Sequence, residues 1–205
     1  NVDVKEQERA YFANVNPAIA SAANNYGNVT WNRKSAANGA PAYWNNPYFQ
    51  VYENTTTDKR FRSFSYAQVT YDLLSNISLT GKVSYDRSNL LAENRLAVGS
   101  VAQPFGLSGN DVGSGYARRD VTRTETNYDL MANYKFNITD DINLSGVVGG
   151  NIRRNYLNSM YASTEGGLVV RGLYSLSNSA KPNLAPAEDE WITETNSGYV
   201  TASFD

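Results

Sequence analysis

The stretch NYDLMANYKF, residues Asn127–Phe136, alternates between two kinds of side chain. Its even positions, from Tyr128 to Phe136, are apolar or aromatic, and its odd positions are polar except for Met131. Successive side chains of a β-strand point to opposite faces of the sheet, so the pattern predicts a strand with one apolar and one polar face. Alternation alone leaves open whether the apolar face meets a protein core or lipid.

Alternation stops at a short connector and then resumes in two segments, SYAQVTYDLLSNISLTGKVSYDR at residues 65–87 and TETNYDLMANYKFNITDDINLSGVVGGNIRRN at residues 124–155. Each segment has the form of a β-hairpin. The apolar face takes the odd positions from Ala67 to Tyr71 and from Ile77 to Tyr85 in the first segment, and the even positions from Tyr128 to Phe136 and from Ile142 to Ile152 in the second. Because a slip of one residue would turn a strand's apolar side chains to the other face, the preserved parity predicts two hairpins that each have one apolar face.

The far ends of these strands are separated by long segments, roughly residues 89–122 and 155–194. Hairpin loops in a compact sandwich usually have about two to five residues. Short turns at one end and long loops at the other are typical of outer-membrane barrels. The eight steps from Tyr128 to Phe136, at roughly 3.3 Å each and a tilt near 40°, cover about 20 Å of an apolar band about 25 Å thick.

Composition excludes several classes of protein. The 205 residues suffice for one β domain or two small ones, and the chain has no Cys and no His, which excludes disulfides, thiolate or imidazole metal sites, and catalysis by a Cys or His nucleophile or base. No run approaches the roughly 18 to 20 apolar residues of a transmembrane helix. The net charge is -2 with scattered Lys and Arg, which argues against nucleic-acid binding. Because Asp140–Asp141 and Glu188–Glu190 lack ligand spacing, we expect no metal, no cofactor and no enzymatic activity.

Several phrases resemble, in order along the chain, barrel segments of SusC/RagA-type TonB-dependent outer-membrane transporters. The most specific phrase is GGLVVRGLYSLSNS, in which Arg171 stands where family members usually have Pro. The phrases are NPYFQVYENTTTDKRFR at residues 46–62, ISLTGKVSYDR at 77–87, NRLAVGS at 94–100, GGNIRRN at 149–155, GGLVVRGLYSLSNSAKP at 166–182 and NSGYVTASFD at 196–205.

The resemblance implies an all-β fold, in which antiparallel strands form part of a transmembrane barrel of about 22 strands with long extracellular loops and a plug in its lumen. It also implies import of oligosaccharides or peptides across the bacterial outer membrane, energy supplied through TonB, and a SusD-like surface lipoprotein as partner. The chain begins without Met and ends inside an alternating run, so we expect it to be a middle part of such a barrel, without plug or TonB box.

On this interpretation residues 1–60 form a long extracellular loop region, in which NPAIASAAN at residues 16–24 is compatible with a short helix. Residues 61–205 then form strands and loops of one barrel domain. The alternative is a soluble all-β module that binds carbohydrate or acts as an adhesin, with its apolar faces meeting in a core. An enzyme that uses paired carboxylates, such as a glycosidase, ranks well behind both.

Three groups of residues are candidates for function, and each also has a purely structural interpretation. Lumen-facing polar residues would contact substrate or plug, or simply hydrate the wall: Lys82, Asp86, Asp129, Asn133, Lys135, Asn151 and Arg153. Loop aromatics would stack on sugar rings, or pack within the loop: Trp44, Tyr48, Phe49 and Tyr52. Apolar strand residues would face outer-membrane lipid, or form the core of a soluble sandwich: Tyr71, Leu79, Tyr85, Tyr128, Leu130, Tyr134, Phe136 and Leu144.

Overall fold

The computed structural model describes residues 3–14, 26–139 and 141–204. The helix considered for residues 16–24 lies outside the described residues. Along the chain the elements are the helices α1 (Val4–Asn14) and α2 (Pro47–Tyr52) and the strands β1 (Thr55–Leu74), β2 (Ile77–Leu96), β3 (Gln103–Pro104), β4 (Asp111–Val112), β5 (Gly115–Asn137), β6 (Asn143–Ser163), β7 (Glu165–Leu168), β8 (Ser179–Lys181) and β9 (Ala187–Phe204), with a short 3-10 helix (Leu176–Asn178) before β8.

Both helices begin at a side chain that caps free backbone amides. Asp3 Oδ1 accepts from the N–H groups of Lys5 and Glu6 at 2.9 and 3.2 Å, at the start of α1. Asn46 Oδ1 accepts from the N–H of Tyr48 at 2.9 Å, and Pro47 occupies the first turn of α2. These are favourable helix starts. No described helix has both the length and the apolar character needed to cross a membrane.

The five long strands form one sheet in the order β1-β2-β5-β6-β9, so long strands that follow one another in the chain are neighbours in an antiparallel meander. Ser75 and Asn76 form the tight turn between β1 and β2. The connection from β5 to β6 is closed by a hydrogen bond from the Ile138 N–H to the Ile142 carbonyl at 2.8 Å. The two predicted hairpins and the all-β antiparallel fold are confirmed.

The connections at the other ends of the strands are long. Residues 97–114 contain the β3–β4 pair, and residues 164–186 contain the β7–β8 pair. Both small pairs are antiparallel, with Gln103 opposite Val112 and Glu165 opposite Lys181. The predicted contrast between short turns and long loops is therefore present in the structure.

Polar side chains of four neighbouring strands share one face, as the parity of the sequence predicts. Even residues of β1 and β2 lie on this face together with odd residues of β5 and β6, and we call it the polar face. Three side-chain contacts between neighbouring strands define it: Thr70 with Thr80 at 3.1 Å, Ser78 with Asn133 at 3.4 Å, and Asp129 with Asn151 at 2.7 Å.

The chain divides into two compact units. The strand unit comprises Arg60–Leu90, Val121–Ser159 and Asp189–Asp205, and the loop unit comprises Asn1–Lys59, Leu91–Asp120 and Met160–Glu188. Among the described residues of the strand unit, no apolar side chain is buried. The buried apolar side chains belong to the loop unit and are Tyr11, Phe49, Leu96, Ala97, Tyr116, Ala117, Ala162 and Leu168.

Candidate functional site

The apolar strand residues remain accessible. Tyr71 and Leu130 are each 65% exposed, and Tyr85, Tyr128 and Phe136 are exposed as well. Leu79, Tyr134 and Leu144 are half-buried, and none of the eight candidates is buried. Within the chain these side chains therefore have no core to fill.

Two tyrosines of the strand unit cover glycines of β6. Tyr134 lies against Gly146, and its hydroxyl donates to the Thr201 carbonyl at 2.9 Å. Tyr199 lies over Gly149, where an added Cβ would come within 2.6 Å of the ring atom Cζ. A glycine in a strand often marks such a close approach.

Most of the polar candidates are engaged by neighbouring strands. Asp86 forms an ion pair with Arg62, and the Lys82 ammonium lies 5.7 Å from the centroid of the Tyr66 ring. Arg153 Nε donates to Asn127 Oδ1 at 3.1 Å. Asn133, Asp129 and Asn151 make the contacts that define the polar face, whereas the side chain of Lys135 is exposed. These residues thus lie on one face of the sheet, and most of them hold neighbouring strands of that sheet together.

The polar face also carries two aromatic residues absent from the candidates named above. The rings of Phe64 and Tyr66 lie 6.2 Å apart, and both are more than half exposed. Their even numbers give them the same parity as Thr70, which indicates this face from the sequence alone. The polar face therefore combines paired charges with an accessible aromatic surface.

The predicted loop aromatics divide into accessible and buried residues. Trp44 and Tyr52 are exposed, Tyr48 is half-buried, and Phe49 is completely buried. Phe49 belongs to the hydrophobic cluster of Tyr11 and Ala97. The prediction that a sugar stacks on Phe49 is therefore wrong, because this ring fills the core of the loop unit and has no accessible face.

An aromatic cluster joins α1 to α2. The Tyr11 and Tyr52 rings stack at 5.7 Å, and those of Tyr48 and Tyr52 stack at 6.4 Å. Phe12 meets the Tyr11 ring edge-on at 5.1 Å. The two exposed members, Phe12 and Tyr52, present an aromatic surface. The contribution of α1 does not follow from the sequence, because the contact depends on tertiary packing.

Asparagine side chains hold this part of the loop unit in place. Asn46, completely buried, donates through Nδ2 to the carbonyls of Gln7 and Val29 at 3.0 and 2.7 Å. Asn54 Oδ1 accepts from the Ala97 N–H at 2.8 Å. Val29 and Ala97 lie outside the helices and strands, so these amides satisfy loop backbone groups, and the bond to Gln7 ties α1 to the same loop.

Two tyrosine hydroxyls donate to glutamates in the loop unit. The Tyr11 hydroxyl donates to Glu53 at 2.9 Å, and burial together with this carboxylate raises the pKa of Tyr11 above its usual value. The Tyr116 hydroxyl donates to Glu93 at 2.6 Å, and burial followed by this hydrogen bond raises the pKa of Tyr116 to about 12. The same hydrogen bond is the main cause that lowers the pKa of Glu93.

Metal binding is not indicated by the described side chains: within residues 3–14, 26–139 and 141–204, no three carboxylates are grouped closely enough to hold an ion.

No family model matches the sequence, and no curated protein matches it. Solved structures with a similar fold include three at 14% sequence identity. They are the RagAB peptide importer in the open-open state (TM-score 0.66, 87% of this chain), the same importer in the closed-closed state (0.66, 86%) and the RagAB peptide transporter (0.61, 86%). The aligned region is 18% of each of those chains. The chain therefore has the fold of one portion of a RagAB chain, and its antiparallel strands fit a fragment of a barrel.

Proposed function

We propose that this chain forms part of the wall of a SusC/RagA-type outer-membrane transporter that imports oligosaccharides or peptides. The protein would not catalyse a reaction and would need no cofactor. Its energy would come from TonB through parts of the protein outside this chain, and a SusD-like surface lipoprotein would be its partner. The fold shared with RagAB chains supports a transporter role.

One observation carries the proposal: the sheet of the strand unit buries no apolar side chain among its described residues. Moving one Leu or Phe side chain out of water contributes about 1.5–3 kcal/mol. A large apolar surface left in water is therefore costly, and soluble proteins rarely carry one. A soluble sandwich would cover such a face with a second sheet. Lipid covers it in a membrane barrel, so the soluble binding module is the weaker alternative.

The polar face has the properties expected of a wet barrel lumen. Charges such as those of Arg62 and Asp86 are paired across strands, which lowers the cost of lining the wall with them. The exposed rings of Phe64 and Tyr66 offer flat apolar surfaces to which a sugar or a peptide side chain would bind. We therefore add these two residues to the candidates for substrate contact.

Single cysteines test which face meets lipid, because the sequence has no Cys of its own. Leu130→Cys and Leu144→Cys in the membrane-embedded protein should react with a lipid-soluble maleimide. Asn133→Cys and Asn143→Cys, which have the opposite parity, should react with a water-soluble maleimide. Equal labelling of the two pairs by both reagents, or a protein that dissolves without detergent, would refute the proposal.

A further inference from the structure

Two arginines of the strand unit lie on the face of the sheet opposite the polar face. Asp86 of β2 and Arg153 of β6 make contacts of the polar face. Because neighbouring residues of a strand point to opposite faces, Arg87 and Arg154 point the other way. That face also carries the apolar residues that the proposed function assigns to lipid, such as Leu130. The two arginines thus lie on the membrane side of the sheet.

The position of Arg87 along the sheet follows from one contact between β2 and β5. The Thr122 hydroxyl donates to Asn89 Oδ1 at 3.1 Å, so these two residues are neighbours across the strands. Antiparallel strands run in opposite directions, and Arg87, two residues before Asn89, therefore lies beside Thr124.

The position of Arg154 follows in the same way from a contact between β5 and β6. Arg153 Nε donates to Asn127 Oδ1 at 3.1 Å, so Arg154 lies beside Thr126. Since β5 is the strand between β2 and β6, the arginines flank it on one face. Their Cα atoms are about 10 Å apart across the sheet and about 7 Å apart along the strands. Two long side chains that extend toward each other over this distance can reach the same small ligand.

The surface between the arginines offers hydroxyl groups. Thr124 and Thr126 of β5 point to the same face, and both are half-buried, whereas Arg87 and Arg154 are exposed. The ion pairs of the described residues include neither arginine, and Glu194 of β9, which has the parity of this face, is not joined to Arg154. Two guanidinium groups with hydroxyls between them are donors that suit the oxygens of a phosphate group.

The arginines lie at the level where lipid headgroups would be. They are level with residues two and four positions beyond Tyr128, which is about 5–10 Å along the membrane normal at roughly 3.3 Å per residue and a tilt near 40°. Headgroups occupy about 5–8 Å on each side of the hydrocarbon core. This is the side of the long connections, because the tight turn at Ser75 and Asn76 lies at the other end of the strands. Tyrosines at the interface with cations just beyond them are typical of a membrane boundary.

We propose that Arg87 and Arg154, with Thr124 and Thr126 between them, bind the phosphate group of a membrane lipid. The site goes beyond transport, and it rests on the proposed function because it requires that this face meet lipid. A lipid fits better than free phosphate, since its acyl chains would lie on the exposed apolar residues next to the site, such as Tyr128. Charge-assisted hydrogen bonds from guanidinium to phosphate are among the strong ones in proteins.

Native mass spectrometry of the full protein, released from detergent, tests the site. The probes are phosphatidic acid and a diacylglycerol with the same acyl chains, which differ only in the phosphate group. Each arginine near an anionic lipid should change the affinity about fivefold, so phosphatidic acid should bind about 25-fold more tightly than diacylglycerol. Inorganic phosphate at the same concentration should leave this preference unchanged, because it has no acyl chains.

Four variants separate the site from general charge effects. Arg87→Gln and Arg154→Gln should each lower the preference for phosphatidic acid about fivefold, and the variant that carries both changes should abolish it. Replacing both arginines by lysine keeps the charges and should retain part of the preference. Arg123→Gln is the matched control, because Arg123 is an exposed arginine next to Thr124 on β5 but points to the polar face. It should keep the full preference.

Four outcomes would overturn the lipid site: equal binding of phosphatidic acid and diacylglycerol, a preference that survives the double glutamine variant, equal losses in Arg87→Gln and Arg123→Gln, or displacement of phosphatidic acid by inorganic phosphate. The last result would make free phosphate the ligand. Each of these leaves the transporter proposal standing, provided that the same preparation shows the cysteine labelling expected of a membrane barrel. Failure of that labelling would instead remove the transporter proposal itself.

Discussion

Gly149 of β6 lies directly beneath the ring of Tyr199 in β9. This contact predicts that even a small side chain at position 149 destabilises the protein. A Cβ added at Gly149 would lie 2.6 Å from both Cζ and Oη of Tyr199 and 2.9 Å from Cε2. Atoms at these separations overlap, so Gly149→Ala must displace the ring or the strand that carries it. The neighbouring Gly150 gives a matched control, because its nearest atom would be the Ser197 carbonyl oxygen at 3.5 Å.

The expected change in the free energy of unfolding follows from two opposing effects. Forcing an extra methyl group into a packed position costs about 1–3 kcal/mol. Replacing glycine by alanine within a regular strand stabilises the folded protein by about 0.5–1 kcal/mol, because alanine loses less conformational freedom on folding. Gly149→Ala should therefore destabilise the protein by about 0–2.5 kcal/mol and leave it about 1–3 kcal/mol less stable than Gly150→Ala, which has the same gain without the overlap. Gly150→Ala should be neutral or slightly stabilising.

Urea unfolding of the full protein in lipid vesicles, followed by Trp fluorescence, measures both variants. Combining Gly149→Ala with Tyr199→Ala should remove most of the penalty that Gly149→Ala causes alone, since the ring that it meets is gone. Destabilisation of the two glycine variants to the same extent, within about 0.5 kcal/mol, would refute the close-packing argument.

Two further predictions concern lipid exposure and alkaline pH. Leu144→Arg should destabilise the embedded protein by about 2–4 kcal/mol and Asn143→Arg by little, measured by unfolding from vesicles; equal losses would contradict the assigned faces. Because the folded pKa of Tyr116 is about 12, above the ordinary value near 10, its stabilisation is fully present below pH 10 and is lost as the pH rises through about 12. The free energy of unfolding should fall more over this range in the wild type than in Tyr116→Phe, and identical curves would argue against the bond to Glu93.

The strand unit was largely predictable because its structure repeats a local rule. Alternation in Asn127–Phe136 sets which side chains share a face, and unchanged parity across each turn extends that assignment to the neighbouring strand. The contact between Thr70 and Thr80 follows from this rule. Alternation does not predict the partner of each charged side chain, because the pairing of Arg62 with Asp86 depends on the register between strands.

The loop unit was not predictable in the same way, since it has no periodic pattern. Its order comes from single side chains that satisfy particular backbone groups, such as Asn46 between Gln7 and Val29. Composition shows that asparagine is frequent but cannot show which carbonyl each amide will meet. The burial of Phe49 against Tyr11 and the approach of Arg95 to the Tyr174 ring likewise depend on contacts between residues far apart in sequence.

The lack of buried apolar side chains in the strand unit determines where its sheet can fold. A sheet whose apolar side chains have no partner within the chain gains little hydrophobic free energy by forming in water. Its accessible strand edges and apolar side chains would instead favour aggregation. In the transporter proposed above, the sheet would therefore stay unfolded until it reaches lipid, and contact with the bilayer, more than the end of synthesis, would start its folding.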